Sequence, residues 1–290
     1  MPRTISKWGA AVIAAGLLAA CGGVSGGGPG SGAAGIRHPL GADRLVLRVD
    51  TEGGFVAPNV LTTKLPDFSL FGDGTVVIPG PMIEIYPGPA LPNVLSRRLS
   101  EPAVQRVLRE AATAGLLGPD RSFTTMPVSD MPTTVFTLVA NGRRHVISVF
   151  GLGASTPSPD MPSAEREARS ALLRLQSKLF DLSSWLPAGD VSAERPYAPS
   201  ALRLLVRPYR SVADPNLTEP AARWPLAERL ASFGRPSPDL VGARCGTVRG
   251  DDAKRLVALA ERANQLTPWL SRGRSFGIAF RPLLPDESGC

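Results

Sequence analysis

Thr134-Val-Phe-Thr-Leu-Val139, Asn141-Gly142 and His145-Val-Ile-Ser-Val-Phe150 decide the fold class. Two runs rich in β-branched and aromatic residues flank an Asn-Gly pair, whose tolerance of positive φ matches the tight turn that right-twisted strands require. A two-residue loop sets Leu138 opposite His145 and Phe136 opposite Ile147. Antiparallel pairing follows.

Helices flank this hairpin on both sides. Before it, Ser100 stands as an N-cap ahead of Glu101 and Pro102, and Val104, Val107, Leu108 and Ala111 recur at helical spacing until Gly115. After it, Ser163 is the natural cap of a long helix with Ala168, Ala171, Leu172, Leu175 and Leu179 on one stripe. Arg166, Arg169, Arg174 and Lys178 lie largely off that stripe. Upstream, Arg44-Leu-Val-Leu-Arg-Val49 reads as a first strand. Phe68-Ser-Leu-Phe71 and Thr75-Val-Val-Ile78 read as a hairpin around Gly72-Asp73-Gly74, the Asp-Gly pair supplying the positive φ angles. Between Pro79-Gly-Pro81 and Pro87-Gly-Pro89, Met82 to Tyr86 is a candidate edge strand or surface loop.

Pro187 to Pro199 marks a boundary, after which the pattern restarts. Ala201 to Val206 is a strand, Ala221 to Phe233 a short helix, Arg244 to Val248 a strand, Asp251 to Asn264 a helix and Ser275 to Leu284 a last strand. Arg44-Leu-Val-Leu-Arg echoes Arg203-Leu-Leu-Val-Arg, and Gly74-Thr-Val echoes Gly246-Thr-Val. The expected architecture is α+β, with two related subdomains of antiparallel strands packed with amphipathic helices, over residues 44–186 and 200–290.

The 290 residues are 43% hydrophobic and 20% charged, which supports a real core and excludes a wholly disordered chain. Thirty glycines and 29 prolines point to a loop-rich fold.

The N-terminus gives an address. Arg3 and Lys7 precede the apolar run Trp8 to Leu18, and Leu18-Ala-Ala-Cys21 resembles a bacterial lipobox. Residues 1–20 read as a lipoprotein signal peptide and Cys21 as the lipid-attachment site. Each buried methylene contributes about 0.8 kcal/mol, so two acyl chains anchor stably where one is marginal. Residues 21–43 read as a Gly/Ser-rich tether reaching roughly 25 Å on average, close enough for basic residues of the folded part to touch anionic headgroups. Cys245 and Cys290 then remain as an even pair in a compartment where disulfides persist, and they are expected to bond.

The chemistry-bearing residues are sparse. Two histidines, His38 and His145, are too few for most metal sites, and no nucleophile elbow, phosphate loop, paired Cys-x-x-Cys or Asp-rich calcium loop occurs. No cofactor, metal or catalytic residue is assigned. His145 titrates near neutrality unaided but shares a strand face with Leu138, Phe136 and Ile147, as a hydrogen-bonded core histidine does. Glu84 alternates with apolar neighbours, as on the solvent side of an edge strand. Formal charge is +7, yet the arginines are dispersed without stacked aromatics, so nucleic acid is not expected as a partner. Arg249-Gly-Asp251 reads as a helix start, not an adhesion motif.

Val49-Asp-Thr-Glu-Gly-Gly-Phe55, Phe68 to Val76, the Pro87-Gly-Pro loop and the helix ending Ala114-Gly-Leu-Leu117 resemble uncharacterised lipoproteins of high-GC Gram-positive bacteria. The likeness covers most of residues 44–150 and, more faintly, Asn264 to Trp269. It implies the outer face of the cytoplasmic membrane and carries no activity. The expectation is a membrane-anchored extracytoplasmic lipoprotein whose body binds a protein, lipid or cell-wall ligand without catalysis; the alternative is an envelope hydrolase using His145 or Glu84.

Overall fold

The computed structural model describes residues 35–56, 63–126, 128–154, 160–238 and 240–290. Cys21, the expected signal peptide and the expected tether as far as residue 34 lie outside the described residues. One compact unit runs from Gly35 to Cys290.

The first sheet contains β1 (Leu45–Gly53), β2 (Phe68–Phe71), β3 (Thr75–Pro79), β4 (Val94–Arg98), β5 (Arg121–Phe123), β6 (Pro132–Ala140), β7 (Arg143–Phe150) and β8 (Arg195–Pro196). Its strand order is β5-β7-β6-β1-β2-β3-β4-β8. Helices α1 (Glu101–Thr113) and α2 (Ser163–Phe180) cover one face, where Leu47, Phe68, Phe136, Val107 and Leu172 share a core. The second sheet contains β9 (Ala201–Pro208), β10 (Ala222–Arg223), β11 (Arg235–Pro236), β12 (Arg244–Arg249), β13 (Trp269–Ser271) and β14 (Arg274–Pro282), in the order β10-β13-β14-β9-β12-β11. Helix α3 (Gly250–Ala260) buries Ala253, Leu256 and Ala260 against its Leu202, Leu204 and Phe280. Pairing is antiparallel except for β5–β7 and β10–β13. The fold is α+β with two strand subdomains.

The two sheets share a plan. In each, the first strand, β1 or β9, is central; a helix follows the strands on one side, and a hairpin then lands on the other. They differ in which hairpin strand meets the centre, β6 in the first sheet and β14 in the second.

The β6–β7 hairpin has Leu138 opposite His145, Phe136 opposite Ile147, and positive φ at Asn141 and Gly142. The side chain of Ser100 accepts from the Ala103 N–H, and Gly115 (φ 92°) follows the end of α1. Elsewhere the structure departs from the local pattern. In the β2–β3 turn only Gly74 has positive φ, and its N–H donates to Phe71 O, giving a three-residue loop instead of a two-residue Asp-Gly turn. Ala221 to Phe233 is not an α-helix: Pro225 interrupts it, leaving β10 and a single 3₁₀ turn at Leu230–Ser232. Pro162, without a side-chain bond, occupies the cap position assigned to Ser163. Arg169, expected off the apolar stripe of α2, is buried, with Nε donating to Glu165 and Nη1 to Phe150 O. Residues 195–196 of the expected boundary segment pair with β4.

Residues 35–43, expected in the tether, lie on the folded unit. Gln105 exchanges hydrogen bonds with the Ile36 backbone, and the Asn141 N–H donates to Arg37 O. Pro39 passes so close to the β2–β3 turn that a Cβ on Gly72 would sit 2.4 Å from its carbonyl oxygen. His38 Nδ1 faces Pro39 O at 2.8 Å and its Nε2 faces the Glu101 carboxylate at 3.1 Å.

The C-terminal tail joins the sheets. Leu284 packs with Phe71, Val77 and Val94 of the first sheet; Asp286 pairs with Arg48 of β1, and Glu287 with Arg281 of β14. Cys290 is disulfide-bonded to Cys245 of β12, with Cα atoms 5.9 Å apart.

Candidate functional site: a recess under the β3–β4 loop

Register defines two ends of the first sheet. Leu45 of β1 pairs with Phe71 of β2, and Leu47 with Leu138 of β6, so the start of β1, the β2–β3 turn and the Asn141-Gly142 turn share one end. The chain enters the unit there. Pro79 pairs with Val94 and Gly53 with Pro132, which puts the β3–β4 loop at the opposite end.

This loop, Gly80 to Asn93, is closed at its neck. The Gly80 N–H donates to Asn93 O, and Asn93 Nδ2 donates to Pro81 O. Its second limb is fastened to the second sheet's helix-to-β13 connection: Ala90 N–H donates to Ala263 O, and Gln265 N–H donates to Gly88 O. Ala90 is buried in the second core. The first limb is different. Met82 to Tyr86 is not a strand, because the flanking Pro-Gly-Pro turns hold it away from any partner strand, and Met82, Ile83, Ile85 and Tyr86 stand in solvent, Ile83 at 76% exposure.

Where the loop crosses the second sheet it leaves a recess of about 350 Å³, walled by apolar groups including Met82, Pro89, Leu205, Ile278 and Phe280. That volume lies in the small-ligand range. Among the described residues of the wall, Arg207 at the end of β9 is the one with a charged side chain. Its register partner is Gly277, where a Cβ would lie 3.5 Å from the Arg207 Nε, so the guanidinium stem lies over a strand with no side chain beneath it. The Arg207 side chain is exposed and has no hydrogen-bond or ion-pair partner among the described residues. An unpaired guanidinium beside apolar walls is equipped to hold an anion whose remainder is hydrocarbon.

Neither expected catalytic candidate lines the recess. His145 is buried on the core face of β7, and its Nδ1–H donates to Gly118 O at 2.9 Å, which fixes the tautomer and orientation of the ring. Glu84 lies on the exposed limb at the opposite end of the first sheet from the start of β7. The structure does not bring them together. Among the described residues no three His, Cys, Asp or Glu side chains gather as a metal site, and no helix is long and apolar enough to cross a membrane. Sequence reasoning missed Arg207; the available signal was the Arg-Pro pair that closes the strand begun at Ala201.

No family model matches this chain, and neither the curated proteins nor the solved structures compared with it give a match.

Proposed function

We propose that this chain is a membrane-anchored extracytoplasmic lipoprotein, acylated at Cys21, whose α+β body binds a small amphiphile without catalysis. Of the protein, lipid and cell-wall ligands expected from sequence, the recess favours the lipid-like one. The observation that carries this reading is the unpaired Arg207 on the wall of an apolar recess of about 350 Å³. The guanidinium meets a carboxylate or phosphate head, and the apolar wall takes the chain. The anchor rests on Leu18-Ala-Ala-Cys21 following an apolar segment.

Native mass spectrometry of the chain extracted from its own membrane tests both parts. The anchor adds a covalent mass at Cys21 that survives denaturation. The ligand adds a non-covalent mass that denaturation removes and Arg207→Glu abolishes. Covalent mass alone refutes the binding reading; absence of acylation refutes the anchor.

A further inference from the structure

The end of the first sheet at which the chain enters carries a second surface feature. Arg37, Arg44, His38, Val139, Asn141 and Gly142 line a shallow hollow of about 410 Å³. Arg37 and Arg44 are exposed, and neither guanidinium has a hydrogen-bond or ion-pair partner among the described residues. The acids nearby are largely occupied. Asp73 pairs with Arg98, Glu101 faces His38, and Asp120 lies 3.7 Å from Arg143. Asp43 alone is an exposed carboxylate without a partner. Arg144, just past the turn in β7, is exposed, and its guanidinium donates to Thr137 Oγ1 at 3.4 Å. Free cations therefore outnumber free anions where the chain enters.

We infer that this basic hollow docks on anionic phospholipid headgroups of the protein's own membrane, so that the unit stands on its entry end and the recess under the β3–β4 loop is turned away from the bilayer. The inference rests on the anchor proposed above. Gly35 is only fourteen residues on from Cys21, and a Gly/Ser-rich chain of that length spans about 20 Å on average. Anchored so near, the hollow sees headgroups at millimolar effective concentration, and weak attraction is enough to set orientation. Each arginine at an anionic surface is worth about fivefold, so Arg37 and Arg44 together bias the orientation about twenty-five-fold. The opposing orientation would push Ile83 and Ile85 into the bilayer. It must carry Glu84 with them, and nine-residue β1 alone separates the two ends by roughly 30 Å.

Hydrogen–deuterium exchange on the acylated protein decides between the orientations, with the chain on vesicles of phosphatidylcholine alone or mixed with phosphatidylglycerol. Phosphatidylglycerol should slow exchange several-fold at residues 37–44 and 141–144 and leave 82–86 unchanged. The protection should vanish in about 0.5 M salt, where the screening length shrinks to a few ångströms, and in the double variant Arg37→Glu, Arg44→Glu, whose sites are exposed and outside the core. Identical exchange on both vesicles, or protection at 82–86 instead, overturns the docking inference while leaving the anchor standing. Failure to stay on either vesicle refutes the anchor, and the orientation falls with it.

Discussion

The Glu287 carboxylate accepts two hydrogen bonds from the Arg281 guanidinium, at 2.6 Å from Nη1 and 2.8 Å from Nη2. The pair fastens the tail to the second sheet, while the adjacent Asp286 bonds Arg48 of the first at 2.8 Å. Arg281 Nε also donates to Lys64 O, and Tyr197 donates to Leu283 O. Burial and the charges of Glu287 and Asp286 push the Tyr197 phenol up to about 12, so it stays a donor through physiological pH. A segment polar enough to fray is a clamp between two sheets.

Removing one partner of a mostly buried ion pair leaves the other uncompensated, at a cost of about 3 to 5 kcal/mol. Glu287→Gln should destabilise the unit toward the low end of that range in urea unfolding and expose the tail to proteolysis. Unchanged stability would mean that the Glu287–Arg281 pair contributes nothing to holding the tail.

Acid should loosen the same clamp. Burial opposes ionisation of Glu287, but the Arg281 hydrogen bonds and charge, with the Leu284 N–H and Arg48, outweigh it and hold the carboxyl below its ordinary value. Glu101 and Glu165 are depressed in the same sense: burial opposes, and bonds from Gln105 and His38, or from Thr125 and Arg169, prevail. A depressed folded-state pKa gives stability that is complete above the unfolded value, about 4.3, and is lost as pH falls through the folded one. The melting temperature should therefore hold from neutrality to about pH 5 and fall below it, with a shallower fall in Glu287→Gln.

His145→Ala should cost about 1 to 3 kcal/mol, since it empties a buried site and leaves Gly118 O without its donor. Ligand retention by the folded protein should not change. A hundredfold loss of some turnover at constant melting temperature would restore the hydrolase reading.

The fold was legible wherever local signals agreed with tertiary context. Asn141-Gly142 set the β6–β7 register because its two residues adopt the positive φ angles such a turn needs, and Ser100 capped α1 because its hydroxyl accepts from the Ala103 N–H while donating to Asp190. Where a residue's role depends on a distant partner, the sequence was silent. Arg169 reads as a surface charge on the helical wheel, yet Phe150 O and Glu165 draw it into the core. Trp224 reads as one face of a helix, but Pro225 stops the helix and the indole meets Trp269 and Phe233 edge-on. The recess is the extreme case. Its wall joins a loop of the first sheet to strands more than a hundred residues later, and no periodicity records that meeting.

The disulfide was legible in the two cysteines that remain when Cys21 is set aside as the expected lipid site, and the structure adds why the tail reaches Cys245. Gly289 passes Thr247 so closely that a Cβ would lie 2.0 Å from its Oγ1, and its φ of 101° suits glycine. Cys290→Ala, opening a 45-residue loop, should cost up to about 4 kcal/mol on the chain-entropy account, less where the clamp already restrains the tail. Peptide mapping without reduction should yield one fragment joining the two cysteines. Alkylation of both thiols in fresh, unreduced protein would refute the bond.

The exposed limb of the β3–β4 loop should be separable from stability. Ile83 and Ile85 are 76% and 57% exposed and belong to no buried cluster, so replacing both by serine should shift unfolding free energy by no more than about 0.5 kcal/mol. Met82 borders both the limb and the recess, and Met82→Asp puts a carboxylate on the wall opposite an incoming anion. It should weaken capture of a long-chain fatty acid at least tenfold at unchanged melting temperature. The serine pair should change capture far less, because those side chains stand outside the recess. If the serine pair instead unfolds the protein, the limb is not separable from stability; if Met82→Asp binds the fatty acid as tightly as the parent, the amphiphile does not enter past Met82 toward Arg207.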